Sequence, residues 1–339
     1  MTQFRNRNSG FRIRPASICV AAIALGILAV PLAPRAQQAG RVYRIGFLGA
    51  TSPSGYAPQL EAFRGGLRDL GYVEGKNLVI EFRWAEGNYA RLAELAAELV
   101  RLKPDVVVTH GGAGTLAAKR ATATIPIVMG VAGDAVATGL VDGLARPGGN
   151  VTGSSFFFPE LNAKRLEVLK EALPRLGRVG VLLNPDNPAN LATLRAMEET
   201  ARSVRVQLQA VEARGLADFE GAFASIVKGR AGGLAVYDDA MLIAEAARIA
   251  DLARKNRLPT IGFIEYARAG GLLAFGVNFP ELWRRAAGFV DKILSGAKPA
   301  DLPVEQPTRF ELIINLKTAK SLGLSIPQLV LIRADEVIQ

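Results

Sequence analysis

Arg44-Ile-Gly-Phe-Leu-Gly and Arg178-Val-Gly-Val-Leu-Leu open two series of short apolar runs and helical patterns that follow one another in the same order. In the first series, Arg44 to Gly49 reads as a buried strand and ends in the loop Ala50 to Gly55. Gln59 to Leu70 carries Leu60, Phe63, Leu67 and Leu70 at helical spacing, and Asn77 to Trp84 alternates as a strand. Tyr89 to Leu102 is a helix, Asp105 to Thr109 a strand, Thr115 to Ala123 a helix and Ile125 to Met129 a strand. A short helix over Val136 to Leu144 precedes the break at Pro147-Gly-Gly-Asn.

The second series repeats this plan. Its strands fall at 178–183, 206–211, 233–237 and 258–262, and its helices at 189–204, 219–227 and 242–255. Equivalent points lie 134 residues apart at Arg44 and Arg178 and 122 apart at Gly148 and Gly270. Strands alternating with helices require right-handed crossovers and a parallel sheet covered on both faces. The expectation is therefore an α/β protein of two flavodoxin-like, Rossmann-like lobes joined by hinge crossovers. A helix over Glu281 to Leu294 has no counterpart in the second series, so the chain is expected to cross back after Phe275. A connector at Lys298-Pro-Ala-Asp-Leu-Pro then leads to a last strand, Phe310 to Asn315, a short helix and a tail anchored by Pro327. Residues 40–152 with 276–300 are assigned to lobe one, and 153–275 with 301–339 to lobe two, the C-terminal segment contributing to the hinge.

The N-terminus has its own logic. Arg5, Arg7, Arg12 and Arg14 precede an apolar run from Ala16 to Val30, and Arg35 follows it with no acid anywhere before residue 37. This is the layout of a secretory signal peptide over residues 1–36, and the run is shorter than the ~20 residues that span a bilayer. Those five arginines supply half of the net charge of +10, so the exported body is only mildly basic and no nucleic-acid partner is expected. Cys19, the single cysteine, lies in the apolar run, which leaves the body without a thiol, a disulfide or a cysteine ligand.

Most catalytic classes lose support next. His110 is the only histidine and reads as a strand-end residue facing the cleft or a neighbouring helix. There is no Gly-x-Ser-x-Gly elbow, no Walker A sequence and no complete dinucleotide fingerprint around Gly112-Ala113-Gly114. No enzyme activity, metal or cofactor is expected.

What the strand ends do carry suits a small polar ligand. Gly111-Gly112-Ala113-Gly114-Thr115 starts a helix whose free N–H groups attract a carboxylate, or alternatively makes a tight turn that needs glycine. Thr51, Ser52 and Ser54 offer hydroxyls, against an ordinary turn role. Asp238, after Tyr237, suits an ammonium group, while Asp239 is placed to cap the following helix. Glu265 is a second acidic candidate, set against a surface salt bridge, and Asp134 is a candidate set against a helix cap. Of Phe156-Phe157-Phe158, at the crossing between lobes, at least one ring is expected to line the cleft or pack the hinge.

Several blocks occurring in order resemble the substrate-binding proteins of ABC importers with a type I periplasmic-binding fold, in the branch related to tryptophan- and tyrosine-binding receptors. They are Tyr43-Arg-Ile-Gly-Phe-Leu, Phe82-Arg-Trp-Ala-Glu-Gly-Asn-Tyr, Leu144-Ala-Arg-Pro-Gly-Gly-Asn-Val-Thr-Gly, Ala269-Gly-Gly-Leu-Leu, Leu302-Pro-Val-Glu-Gln-Pro-Thr-Arg-Phe and Ile313-Ile-Asn-Leu-Lys-Thr-Ala-Lys. The resemblance covers nearly the whole chain after the leader. It implies a periplasmic protein that captures a small metabolite, an amino acid among the options, between two lobes and delivers it to an ABC permease in the inner membrane. It further implies a monomer and no covalent chemistry. By the same resemblance Thr51 to Tyr56, the turn at Gly112 to Thr115, Asp134, Asn184, Asp238 and Glu265 fall where the family's cleft residues lie. Two turns depart from the family pattern. Gly112-Ala113-Gly114 stands in place of a Thr/Ser-Pro-Ala type turn, and Asp134-Ala135-Val136 in place of Asp-Pro-Val. The alternatives of another class are a sensory ligand-binding module and a two-lobed α/β enzyme.

Overall fold

A computed structural model describes residues 41–339 apart from Phe157. The expected leader, with Cys19, lies outside the described residues. The first sheet is built from β1 (Tyr43–Gly49), β2 (Leu78–Trp84), β3 (Val106–Thr109), β4 (Ile127–Gly133) and β5 (Val151–Phe156), all parallel, in the order β2-β1-β3-β4-β5. The second contains β6 (Arg178–Leu183), β7 (Gln207–Glu212), β8 (Gly233–Val236), β9 (Thr260–Gly262) and β10 (Leu273–Gly276) in the equivalent order, β7-β6-β8-β9-β10. Both are the doubly wound arrangement of flavodoxin-like sheets. The second sheet is extended by β11 (Glu311–Asn315) and β12 (Glu336–Ile338).

Side-chain alternation explains why helices cover both faces of the first sheet. Ile45, Phe47, Val106, Val108 and Val128 point to one side, where they meet Leu60, Phe63 and Leu67 of α1 (Ala57–Asp69). Leu48, Val107, Ile127 and Met129 point to the other, against Leu92, Leu95 and Leu99 of α2 (Leu92–Arg101) and Ala118 of α3 (Gly111–Ala121). Each fully buried Leu or Phe contributes about 1.5–3 kcal/mol of transfer free energy, so the two faces hold the sheet jointly. The second lobe is covered by α4 (Phe158–Ala172), α5 (Asn190–Ser203), α6 (Phe219–Lys228), α7 (Ala240–Ala244), α8 (Ala246–Lys255) and α9 (Ile264–Arg268).

The chain crosses between the lobes three times. The first crossing follows β5, which runs past the lobe boundary expected at 152 and stays in the first sheet to Phe156. The second lies between β10 and α10 (Phe279–Leu294), whose Trp283, Ala286, Ala287 and Val290 pack into the first lobe beside α1. The third comes later than the expected 301: Leu302, Val304 and Glu305 still bond to Thr152, Leu144 and Gly153 of the first lobe. Because the chain re-enters the second lobe from its hinge end, β11 runs antiparallel to β10, whereas every other pairing in that sheet is parallel. The tail closes with α11 (Leu316–Leu322) and α12 (Gln328–Leu331).

Two local expectations change. The region 136–144 forms turns rather than a helix, with Gly139 at φ +69° reversing the chain. The helix expected from Thr115 starts at Gly111. Among the described residues no helix is long and apolar enough to cross a membrane.

Candidate functional site

In a doubly wound sheet the crevice opens at the carboxyl ends of the two strands from which the order runs outward in opposite directions. Those strands are β1 and β3 in the first lobe, β6 and β8 in the second, and the loops that follow them face one another here. A cavity lies between them. Ala50 and Tyr56 come from the loop after β1, and His110 to Gly114 from the turn after β3. Asn187 and Ala189 follow β6, and Asp238, Asp239 and Ala240 follow β8. Phe156 and Phe279, one at each of the first two crossings, line the hinge side with ring centroids 6.1 Å apart.

The first-lobe wall rests on an aromatic stack. Tyr56 lies face to face with His110 at 4.0 Å, and the Trp283 indole N–H donates to the Tyr56 hydroxyl at 3.2 Å. Phe47 packs beneath Trp283. Burial pushes the Tyr56 phenol well above its ordinary pKa and drives the imidazole of His110 down to about 3, so both are neutral in the working range. The Ala50 N–H donates to Nε2 of His110 at 3.2 Å.

At the start of α3, Gly111 sits at φ +68°, a conformation that glycine adopts without strain. Gly112 matters for a different reason. A Cβ there would lie 3.0 Å from the Pro188 ring, a tight contact that its bare backbone avoids. The Thr115 hydroxyl is turned back onto the Gly111 carbonyl at 2.8 Å and faces its own helix.

Two buried carboxylates mark the second-lobe wall. Asp238 is held by Arg165 of α4, with Nη1 to Oδ2 at 2.5 Å and Nη2 to Oδ1 at 2.9 Å, and these side chains are 2% and 0% exposed. Arg165 also donates to the Phe275 carbonyl at 2.6 Å and to Asn162 at 3.2 Å, so its guanidinium links both hinge segments to the cavity. Asp239 caps α7 through the Met241 N–H at 3.1 Å and accepts from Asn184 and Asn187, each at 3.2 Å. The Tyr89 hydroxyl, reaching over from the first lobe, lies 3.0 and 3.1 Å from its two oxygens. Burial raises the Asp239 pKa, and these hydrogen bonds oppose the rise.

Of the residues singled out from the sequence, Tyr56, Gly112, Ala113, Gly114 and Asp238 line the cavity. Ser52 and Ser54 bond to each other at 3.1 Å, and Ser52 also accepts from the Gly55 N–H, a turn role. Asp134 caps the turn that follows it by accepting from the Ala137 N–H. Asn184 and Tyr237 are buried behind the wall, Asn184 as a donor to Asp239. Thr51 is buried, its hydroxyl without a partner among the described residues. Glu265 lies behind the wall too. Both its carboxylate oxygens are buried with no hydrogen-bond partner among the described residues, and burial first, then the charge of Asp238, pushes its pKa up to about 7.

Sequence reasoning missed Tyr89, Arg165, Asn187 and Phe279. Arg165 was the most legible of these: it interrupts the apolar series Leu161, Leu166, Leu169, where a guanidinium needs a buried partner.

Residues 52–338 match the model of the ABC transporter substrate binding protein family. This chain belongs to that family. A tyrosine-binding protein of Clostridioides difficile is 28% identical over 274 residues, which cover 80% of this chain and 79% of the relative. A conserved domain protein from Vibrio cholerae superposes with a TM-score of 0.82 at 28% identity, covering 88% of this chain and all of the other. An ABC domain from Streptococcus pneumonia in complex with L-Trp gives 0.80 at 23% identity over the same shares. The fold is that of type I periplasmic-binding proteins. A substrate-binding protein of an ABC transporter needs two walls and a hinge, and both are present. The family and these relatives are binding proteins rather than enzymes.

Proposed function

We propose that the protein is an exported receptor of an ABC importer, working in the periplasm as a monomer, that closes its two lobes over a small amino acid or a related carboxylic acid and hands it to a permease. The observation that carries this reading is the convergence of four strand-end loops, two from each lobe, on one cavity. A solute that contacts both walls favours the closed state by its differential affinity for that state, and no bond of the solute has to change. The stacked rings of Tyr56 and His110, with Phe156 and Phe279 on the hinge side, supply apolar area for an aromatic or aliphatic body. The start of α3 suits the carboxylate end.

Neither aspartate of the cavity wall is free for the amino end. Asp238 is neutralised by Arg165 and Asp239 is saturated by donors, whereas Glu265 has two unengaged oxygens. In this reading Glu265, behind the wall, acts on an ammonium group in the cavity through its charge rather than by contact. Thermal-shift screening of the purified protein against amino acids, aromatic carboxylic acids, sugars and purines tests the reading. A ligand at 100 times its Kd adds about 2.7 kcal/mol to the native state and raises Tm. Stabilisation by amino acids or carboxylic acids supports the reading, and stabilisation by sugars or purines alone contradicts it.

A further inference from the structure

His110 has no assigned role in the reading above beyond packing, yet its chemistry is unusually well defined. It is the only histidine of the chain, it is 1% exposed, and it forms part of the cavity wall. Its Nε2 accepts the Ala50 N–H at 3.2 Å. A neutral imidazole carries one proton, and a ring that accepts at Nε2 must carry that proton on Nδ1. Among the described residues nothing accepts from Nδ1. The residue is in the N-cap position of α3, with extended backbone angles (φ −147°, ψ 159°), but its side chain makes no cap hydrogen bond. The ring is held instead by the Tyr56 face at 4.0 Å. An oriented and unengaged donor therefore belongs to a residue that lines the cavity and directly precedes an 11-residue helix.

The charges around it narrow what that donor can meet. Among the described residues no lysine or arginine lines the cavity, and its two aspartates are engaged by Arg165 in one case and by Tyr89, Asn184, Asn187 and the Met241 N–H in the other. The wall at α3 thus offers donors without a formal positive charge, which suits a singly charged, planar acceptor group better than a dianion. We propose that His110 is a ligand-anchoring residue whose Nδ1–H donates to the carboxylate of the bound solute, seated at the start of α3. This rests on the reading of the protein as a receptor for amino or carboxylic acids, and it adds the residue that recognises the acid group.

Because there is a single histidine, long-range 1H–15N correlation spectra of the labelled protein report this ring alone. The free protein is expected to show the Nδ1–H tautomer at neutral pH, and finding the Nε2–H tautomer overturns the proposal before any ligand is added. L-tyrosine, 3-(4-hydroxyphenyl)propionate and tyramine are then titrated, with binding followed in parallel by calorimetry. Binding of either carboxylate is expected to move the Nδ1 proton downfield, and tyramine is expected to bind at least tenfold more weakly. His110→Phe, which keeps an aromatic ring against Tyr56, should lower carboxylate affinity about tenfold or more, the loss of a hydrogen bond to a charged group. His110→Asn, which keeps an N–H donor near the Nδ1 position, should recover part of it. Carboxylate binding with an unmoved histidine signal, or equal binding of tyramine, overturns the role of His110 and leaves the receptor reading intact. Failure of both carboxylates to bind at millimolar concentration overturns the proposal, and binding of sugars or purines in their place removes the receptor reading with it.

Discussion

The hydroxyl of Tyr89, carried by the first lobe, lies 3.0 Å from the carboxylate of Asp239, which belongs to the second, and both residues line the cavity. The Met241 N–H, at 3.3 Å from the same hydroxyl, gives the phenol a second partner in the second lobe. Closure therefore has a component built into the protein, and the ligand has to supply only the remainder.

Tyr89→Phe removes that component while keeping the ring. A hydrogen bond to a charged group contributes about 1.5–3 kcal/mol, so the closed population and the ligand affinity should fall by about tenfold or more. Asp239 keeps its bonds to Asn184, Asn187 and Met241, so global stability should change little. Small-angle scattering of the free variant, showing a larger radius of gyration at unchanged Tm, is the check.

Arg165→Ala is expected to be among the most damaging changes outside the hydrophobic cores. It strands the buried Asp238 carboxylate and frees the Phe275 carbonyl, a loss of about 3–5 kcal/mol for a broken buried pair. Replacing both partners at once, by Arg165→Met with Asp238→Leu, should cost less than Arg165→Ala alone. Urea titrations of the two variants and the unaltered protein decide this, and a double variant that loses as much as Arg165→Ala would contradict the pairing.

Glu265 makes stability fall as the solution becomes more basic. Its pKa rises from 4.5 to about 7 on folding, so the native state binds the extra proton between these values. The group's contribution is complete below pH 4.5 and is lost as pH climbs through 7, on the order of 3 kcal/mol in all. Glu265→Gln, which fixes the uncharged form, should raise stability at pH 8 and leave it nearly unchanged at pH 4. Paired denaturation curves at the two pH values test it.

His110 acts in the opposite sense. Its pKa drops from 6.5 to about 3 on folding because burial disfavours the cation, so the unfolded chain takes up the proton first. Stability is full above pH 6.5 and declines on acidification at up to about 1.4 kcal/mol per pH unit. His110→Phe should flatten that acid slope, whatever its effect at pH 7.

The two-lobe plan was legible because each central strand is a short apolar run flanked by helical periodicity, and Arg44 and Arg178 mark equivalent starts. Local pattern failed where tertiary context decides. Three of the first four residues of α3 are Gly, poor material for a helix read on propensity, yet packing and the cavity wall fix the helix from Gly111. The lobe boundaries shifted because β5 and the segment around Val304 pair by backbone bonds that leave no periodic trace. Within the site, the turn at Gly112 and the acids Asp238 and Glu265 stood out by type and place. Their states did not, because the neutralisation of Asp238 depends on Arg165, 73 positions away, and the bond between Tyr89 and Asp239 on a separation of 150. No spacing rule relates such pairs.

The central claim is that one solute is held between the two walls and released unchanged. Calorimetric titration of the purified protein with the amino or carboxylic acid that most raises its Tm tests this directly, in the unaltered chain and in two variants, Gly112→Val on the first lobe and Ile243→Arg on the second, where Ile243 lines the cavity from α7. One solute per chain, recovered intact, with affinity reduced at least tenfold by either substitution at unchanged Tm, is the expected result. Binding that neither substitution weakens, or recovery of a chemically altered solute, would contradict it.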